Sequence, residues 1–99
     1  MTEYHYILDS IGKEEVLSQL EEECAELIHA ASKLRRAISD KNPTPVTAEI
    51  AENMIIEELA DVILCAKVLG YRADSIAVER IQEDKLYRWI TRINKAKGD

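Results

Sequence analysis

The sequence predicts an all-helical protein, an antiparallel bundle of three long helices completed by oligomerisation, with room for a short extra N-terminal element. Glycine and proline, which interrupt helices, number only three and two in 99 residues. The remaining residues repeat apolar side chains at the three- and four-residue spacing of a helix. A hydrophobic content of 46% fits one small domain, residues 1–99, whose modest core favours association with further copies.

The first long helix is predicted over residues 13–39. From Leu17 to Ile38 the apolar positions advance by alternate steps of three and four residues, which places them on one stripe. Cys24 lies on that stripe. It is expected, like Cys65 in the second helix, to be a reduced core residue, because the spacing of the two cysteines matches neither a zinc site nor a disulfide scaffold.

Proline-containing residues 41–45 end the first helix, and two further helices are predicted after them. Thr44 and Pro45 form a plausible N-cap and first-turn pair, so the second helix is expected from about residue 45 to Leu69. Beyond Gly70, either Asp74 or Ser75 can cap a third helix that runs to about Lys97. Residues 1–10 are compatible with a strand, a helical turn or an arm.

Two acidic clusters recur with the same spacing, Glu22-Glu23-x-x-Glu26 and Glu57-Glu58-x-x-Asp61. Both lie about 22 Å from a bend at residues 41–45, so an antiparallel hairpin brings them to the same height. Crowded carboxylates resist joint ionisation unless a cation compensates, and oxygen ligands favour Mg²⁺ or Mn²⁺ over Zn²⁺. The clusters therefore predict a magnesium site. An ordinary solvated acidic surface is the alternative.

These clusters resemble the MazG-like branch of the all-α nucleoside triphosphate pyrophosphohydrolases, whose mark is EExxE followed by ExxD or EExxD on the next helix. The similarity extends to the basic pattern Lys85-x-x-Arg88-x-x-x-Arg92. The chain departs from many members in the 30 residues between Glu26 and Glu57, and in carrying Leu64 and Val68 where some members place an asparagine.

The resemblance implies a helical dimer or tetramer that cleaves a nucleoside triphosphate to the monophosphate and pyrophosphate. It assigns metal ligation to Glu23, Glu26, Glu58 and Asp61. Around such a site, Glu22 and Glu57 are the candidates for activating water. Phosphate-binding candidates are Lys85, Arg88, Arg92 and Lys33. Asn53 and Trp89 are the candidates for nucleotide contact.

Charge and hydropathy narrow the partners. The net charge is −6, with −10 on residues 1–84 and +4 on residues 85–99, a distribution that disfavours a nucleic-acid interface. The apolar runs are short and broken by charges, so we expect a cytoplasmic protein without a membrane partner.

Two rival hypotheses remain. Glu26-x-x-His29 resembles half of a di-iron ligand set, although Glu58-x-x-Asp61 stands where the second half would be. The 3,4 spacing of the first long helix also suits a non-catalytic dimerisation module.

Overall fold

The computed structural model describes residues 2–39 and 41–98, which form four helices: α1 (Glu3–Ile11), α2 (Lys13–Ser39), α3 (Ala48–Val68) and α4 (Ile76–Ala96). The described residues contain no strand, so the all-helical prediction is confirmed. The bounds of α2 agree with the predicted 13–39. The segment left open by sequence is helix α1, whose N-cap Thr2 accepts a hydrogen bond from the amide of His5 at 3.2 Å.

The start of α3 differs from the prediction. Thr47, and not Thr44, is the N-cap, and its hydroxyl accepts a hydrogen bond from the amide of Ile50 at 3.2 Å. The hydroxyl of Thr44 instead accepts a hydrogen bond from the amide of Val46 at 3.5 Å, a local turn that takes the place of the predicted first helical turn. In the connection from α3 to α4, Ser75 and not Asp74 is the N-cap of α4.

The core lies between α2 and α3, which form an antiparallel hairpin, with α1 against both at the open end. Its buried residues are Val16, Ala30, Ala51, Cys65 and Val68. Two of these are alanines at 1% and 0% exposure, which lets the two helices approach closely. Five buried residues within 2–39 and 41–98 make a small core, because an isolated domain of about this size normally buries most of its apolar side chains.

The buried residues of α2 define a line along the helix, its buried line, and this line differs from the predicted apolar stripe. Counted at about 100° per residue, Glu23 lies between Val16 and Ala30, about 20° from each, so the buried line passes through Glu23. The centre of the predicted stripe lies about 70° from that line, so its Leu20, Leu27 and Leu34 are half-buried, whereas Cys24 and Ile38 are exposed. The expectation of a core position was therefore wrong for Cys24 and is confirmed for Cys65. Packing against one neighbour covers only part of a broad apolar arc.

Helix α4 stands apart from the hairpin. Within the described residues, its Cα atoms lie beyond 8 Å from those of α1, α2 and α3. Every residue of α4 is exposed except Val78, which is half-buried. The radius of gyration of 17.5 Å exceeds the value of about 13 Å expected for a compact chain of this length.

Candidate metal centre

Three of the four predicted metal ligands meet between α2 and α3. Glu23 comes from α2, and Glu58 and Asp61 lie one turn apart on α3. One carboxylate oxygen from each of the three lies within 4.8 Å of the others. All three residues are half-buried, so the cluster lies in the seam between the two helices and not on a freely solvated surface.

The buried line of α3 places its two carboxylates in that seam. Glu58 lies between Ala51 and Cys65, about 20° from each, and Asp61 lies about 20° from Val68. The apolar residues that pack α3 onto α2 therefore also turn Glu58 and Asp61 toward Glu23. Folding of the hairpin forces the carboxylates together.

Crowding and partial burial favour the protonated forms of this cluster. The pKa of Glu58 is raised first by desolvation, then by a side-chain hydrogen bond with Glu23 and by the negative charges of Glu23, Asp61 and Glu26. Desolvation likewise raises the pKa of Asp61, followed by the charge of Glu23 and a side-chain hydrogen bond with it. Among the described residues, Glu58 Oε2 is buried without a hydrogen-bond partner. A buried carboxylate oxygen without a partner is an acceptor available to a cation.

These raised pKa values predict the pH dependence of the metal-free protein. The native cluster retains protons above the ordinary pKa values of 4.5 for Glu58 and 3.8 for Asp61. Stability from the protonated cluster is therefore complete below those values and is lost as pH rises through the raised native pKa values. With a chelator present, we expect the melting temperature of the Glu58→Gln variant minus that of the parent to increase from pH 4 to pH 7. Thermal melts followed by circular dichroism measure this difference.

The exposed Glu52 on α3 provides the control for that experiment, because it lies outside the cluster. Glu52→Gln should change the melting temperature only slightly, as for other exposed substitutions. A Glu58→Gln difference that does not vary between pH 4 and pH 7 would show that the native pKa of Glu58 is not raised.

Two neighbours of the cluster were not predicted from the sequence as site residues. The side-chain amide of Gln19 donates a hydrogen bond of 2.8 Å to Glu23 Oε1. The buried Cys65 is close enough that Glu23 and Asp61 add to the desolvation that raises its thiol pKa. The i, i+4 spacing of Gln19 and Glu23 is a signal that could have identified the first contact.

The other predicted acidic residues surround this group without joining it. Glu26 is exposed and acts on Glu58 through its charge, as the last of the causes that raise the pKa of Glu58. It is outside the group whose oxygens converge. Glu22 and Glu57 are exposed. His29, which the di-iron hypothesis requires, is also exposed and outside the group.

The remaining predicted polar residues of α2 and α3 lie on one side of the hairpin, the polar side, which also carries the exposed Ile50 and Leu64. Measured at about 100° per residue from the buried lines, they turn in the direction that places them on the same side of the antiparallel pair. This polar side carries Glu22, Glu26, Lys33, Asn53 and Glu57. Candidate residues for metal, water, phosphate and nucleotide contact on the hairpin therefore share one surface beside the cluster.

The predicted basic stripe is not brought to the cluster within one chain. Lys85, Arg88 and Arg92 belong to α4, which is separate from the hairpin. Arg88 instead forms an exposed ion pair of 2.7 Å with Asp84 on the same helix. Trp89, the candidate for stacking on a base, is 61% exposed.

The chain matches no model of a known protein family, no curated protein and no solved structure. Across residues 2–39 and 41–98, no helix combines the length and the apolar character needed to cross a membrane.

Proposed function

We propose that the protein hydrolyses a nucleoside triphosphate to the monophosphate and pyrophosphate, with Mg²⁺ held by Glu23, Glu58 and Asp61. The observation that carries this proposal is the convergence of three carboxylates within 4.8 Å in the helix seam. Two of them, Glu58 and Asp61, have raised pKa values because desolvation, and after it the neighbouring negative charges, oppose their ionisation. A hard divalent cation relieves that opposition, and Mn²⁺ suits the same ligands.

Glu26 is the fourth proposed ligand. It lies on the polar side of α2, one turn from Glu23, and already influences Glu58. Rotation of its exposed side chain brings a carboxylate toward the cluster without disturbing the core, because surface side chains change rotamer readily. In this proposal Gln19 holds Glu23 in place by its hydrogen bond.

Bound Mg²⁺ would neutralise triphosphate charge and polarise the α-phosphorus for attack by water. Glu22 and Glu57 lie beside the metal ligands in sequence and are exposed, so they are the proposed groups for orienting water and accepting its proton. Lys33, half-buried on the polar side, is proposed to contact phosphate, and Asn53 to contact the base or ribose. The role of Lys85, Arg88 and Arg92 is to hold the departing pyrophosphate.

The discriminating experiment is a panel of ribo- and deoxyribonucleoside triphosphates incubated with the purified protein and Mg²⁺. Chromatography should show monophosphate and pyrophosphate in equal amounts for at least one nucleotide, and no diphosphate. A non-catalytic dimerisation module, which the exposed apolar surfaces of α2 and α4 favour as second candidate, gives no monophosphate with any nucleotide.

Metal binding has its own test. We expect Mg²⁺ to raise the melting temperature of the parent. An ion that binds only the native state stabilises it by about 2.7 kcal/mol when its free concentration is 100 times its dissociation constant. Glu58→Gln should show a much smaller increase. Equal increases in parent and variant would assign the effect to nonspecific screening.

A further inference from the structure

Gln19 contacts the acidic cluster from outside it. Its side-chain amide donates a hydrogen bond of 2.8 Å to Glu23 Oε1 from one turn earlier on α2. Among the described residues, no side chain outside the cluster donates a hydrogen bond to the carboxylate of Glu58 or Asp61, and Glu58 Oε2 is buried without any partner. Glu23 is therefore restrained in a way that the other two carboxylates are not.

The restraint acts in a different direction from the cluster. Gln19 lies on the same helix as Glu23 and approaches it from the preceding turn, whereas Glu58 and Asp61 lie across the seam on α3. Glu23 contributes one carboxylate oxygen to the group that converges within 4.8 Å. A carboxylate that turned both oxygens equally toward the cluster would give up the orientation that the bond to Gln19 holds.

Mg²⁺ and Ca²⁺ differ in what they demand of a carboxylate. Mg²⁺ binds about six oxygens in near-octahedral order and retains several waters, whereas Ca²⁺ accepts about six to eight at longer distances and often takes both oxygens of one carboxylate. One oxygen each from Glu23, Glu58 and Asp61 leaves room in an octahedron for water or phosphate, which suits Mg²⁺. A second oxygen from Glu23 would raise the number of ligands and favour Ca²⁺.

Glutamine provides the restraint without changing the charge of the site. Its amide is a neutral donor, so the cluster keeps all of its negative charge for a cation. A lysine at residue 19 would also donate a hydrogen bond but would offset one carboxylate charge, and a glutamate would repel Glu23. A neutral donor orients Glu23 and leaves the attraction for either divalent ion intact.

We propose that Gln19 makes the cluster discriminate Mg²⁺ from Ca²⁺ by restricting Glu23 to one ligand oxygen. Gln19 is a positioning residue, because it acts through Glu23 and does not itself contact the ion. This inference rests on the proposed function only in taking a divalent cation as the occupant of the cluster, and it does not require nucleotide hydrolysis.

Titration calorimetry with Mg²⁺ and with Ca²⁺, in the absence of nucleotide, tests the discrimination. Q19A should raise the Mg²⁺ dissociation constant about 10-fold, the lower end of the effect of removing a group that orients a metal ligand. The Ca²⁺ dissociation constant should stay the same or fall, so the ratio of the two constants should change by at least about 10-fold. Because Gln19 is exposed and alanine is a good helix former, helicity by circular dichroism should persist.

Two further variants separate the hydrogen bond from other effects of the substitution. Q19K keeps a donor within reach of Glu23 but adds a positive charge, so both ions should bind more weakly and the ratio should stay close to that of the parent. Q82A removes the other glutamine of the chain, which is exposed on α4, and should leave both constants unchanged.

The outcomes distinguish failure of this inference from failure of the proposed function. Equal weakening of both ions in Q19A, or no change in either, would overturn the role of Gln19 and leave the metal site in place. A parent that binds neither ion would overturn the metal site and this inference together. Binding of both ions with the expected ratios, but without hydrolysis of any nucleotide, would overturn the proposed reaction alone.

Discussion

Asp61→Asn should lower kcat/KM by at least about 100-fold while the protein remains folded. The substitution keeps the size of the side chain and removes the negative charge that would hold Mg²⁺. Losing even a group that supports a metal ligand costs 10- to 100-fold in metal affinity or activity, so loss of a ligand costs at least as much. Steady-state release of pyrophosphate, measured over a range of Mg²⁺ concentrations, gives the ratio.

The fold should survive because the charge on Asp61 opposes the native state. Its pKa is raised by desolvation and by Glu23, so the native protein without metal tolerates a neutral group there better than a carboxylate. Circular dichroism should show unchanged helicity. Glu52→Gln, an exposed substitution outside the cluster, should keep kcat/KM within about twofold, as for other surface changes. Similar activity in the two variants would rule out Asp61 as a ligand.

The sequence predicted the hairpin and most of its acidic centre because both depend on regular helical geometry. The bounds of α2 follow from its apolar spacing and from the prolines after it. Glu23, Glu58 and Asp61 meet because matched spacing on two antiparallel helices determines height. Periodicity determines such features locally, before any tertiary detail is known.

Rotation about the helix axis was not predictable to the same accuracy. The apolar arc of α2 is wider than the strip that α3 covers, so several rotations bury similar area. The structure uses the one in which Glu23 lies between Val16 and Ala30, and it leaves Cys24 exposed. The small side chains Ala30 and Ala51 allow the closest approach there. Their contribution depends on which alanines face each other, which a sequence pattern does not specify.

The position of α4 relative to the hairpin could not be predicted from the sequence either. Its amphipathic pattern predicts a helix with one apolar surface and a basic stripe, and the helix is confirmed. The same pattern contains no information on which surface covers it. Because α4 is separate from the hairpin, contact between the basic stripe and phosphate at the metal site is a prediction about an assembly of copies and not about one chain.

Arg88→Ala and Arg92→Ala should each cost about 2 to 4 kcal/mol in kcat/KM, the scale of one lost contact to charge that develops on a departing phosphate. Lys85, Arg88 and Arg92 lie at i, i+3 and i+7 on α4. A guanidinium that binds pyrophosphate acts mainly in the transition state, so kcat should fall more than KM rises. Initial rates of pyrophosphate release at saturating and limiting nucleotide separate the two constants.

The cost to folding should stay within about 0.5 kcal/mol, because alanine is a good helix former and exposed ion pairs contribute little. Arg88 loses only its pair with Asp84, whose side chains are 66% and 56% exposed. The melting-point increase with Mg²⁺ should persist in both variants, since the carboxylates are untouched. Arg80→Ala, on the same helix but outside the stripe, is the matched control. If all three substitutions reduce turnover equally and slightly, the stripe is a solvated surface, and the charge that balances the departing pyrophosphate must come from Lys33 or from the metal ion alone.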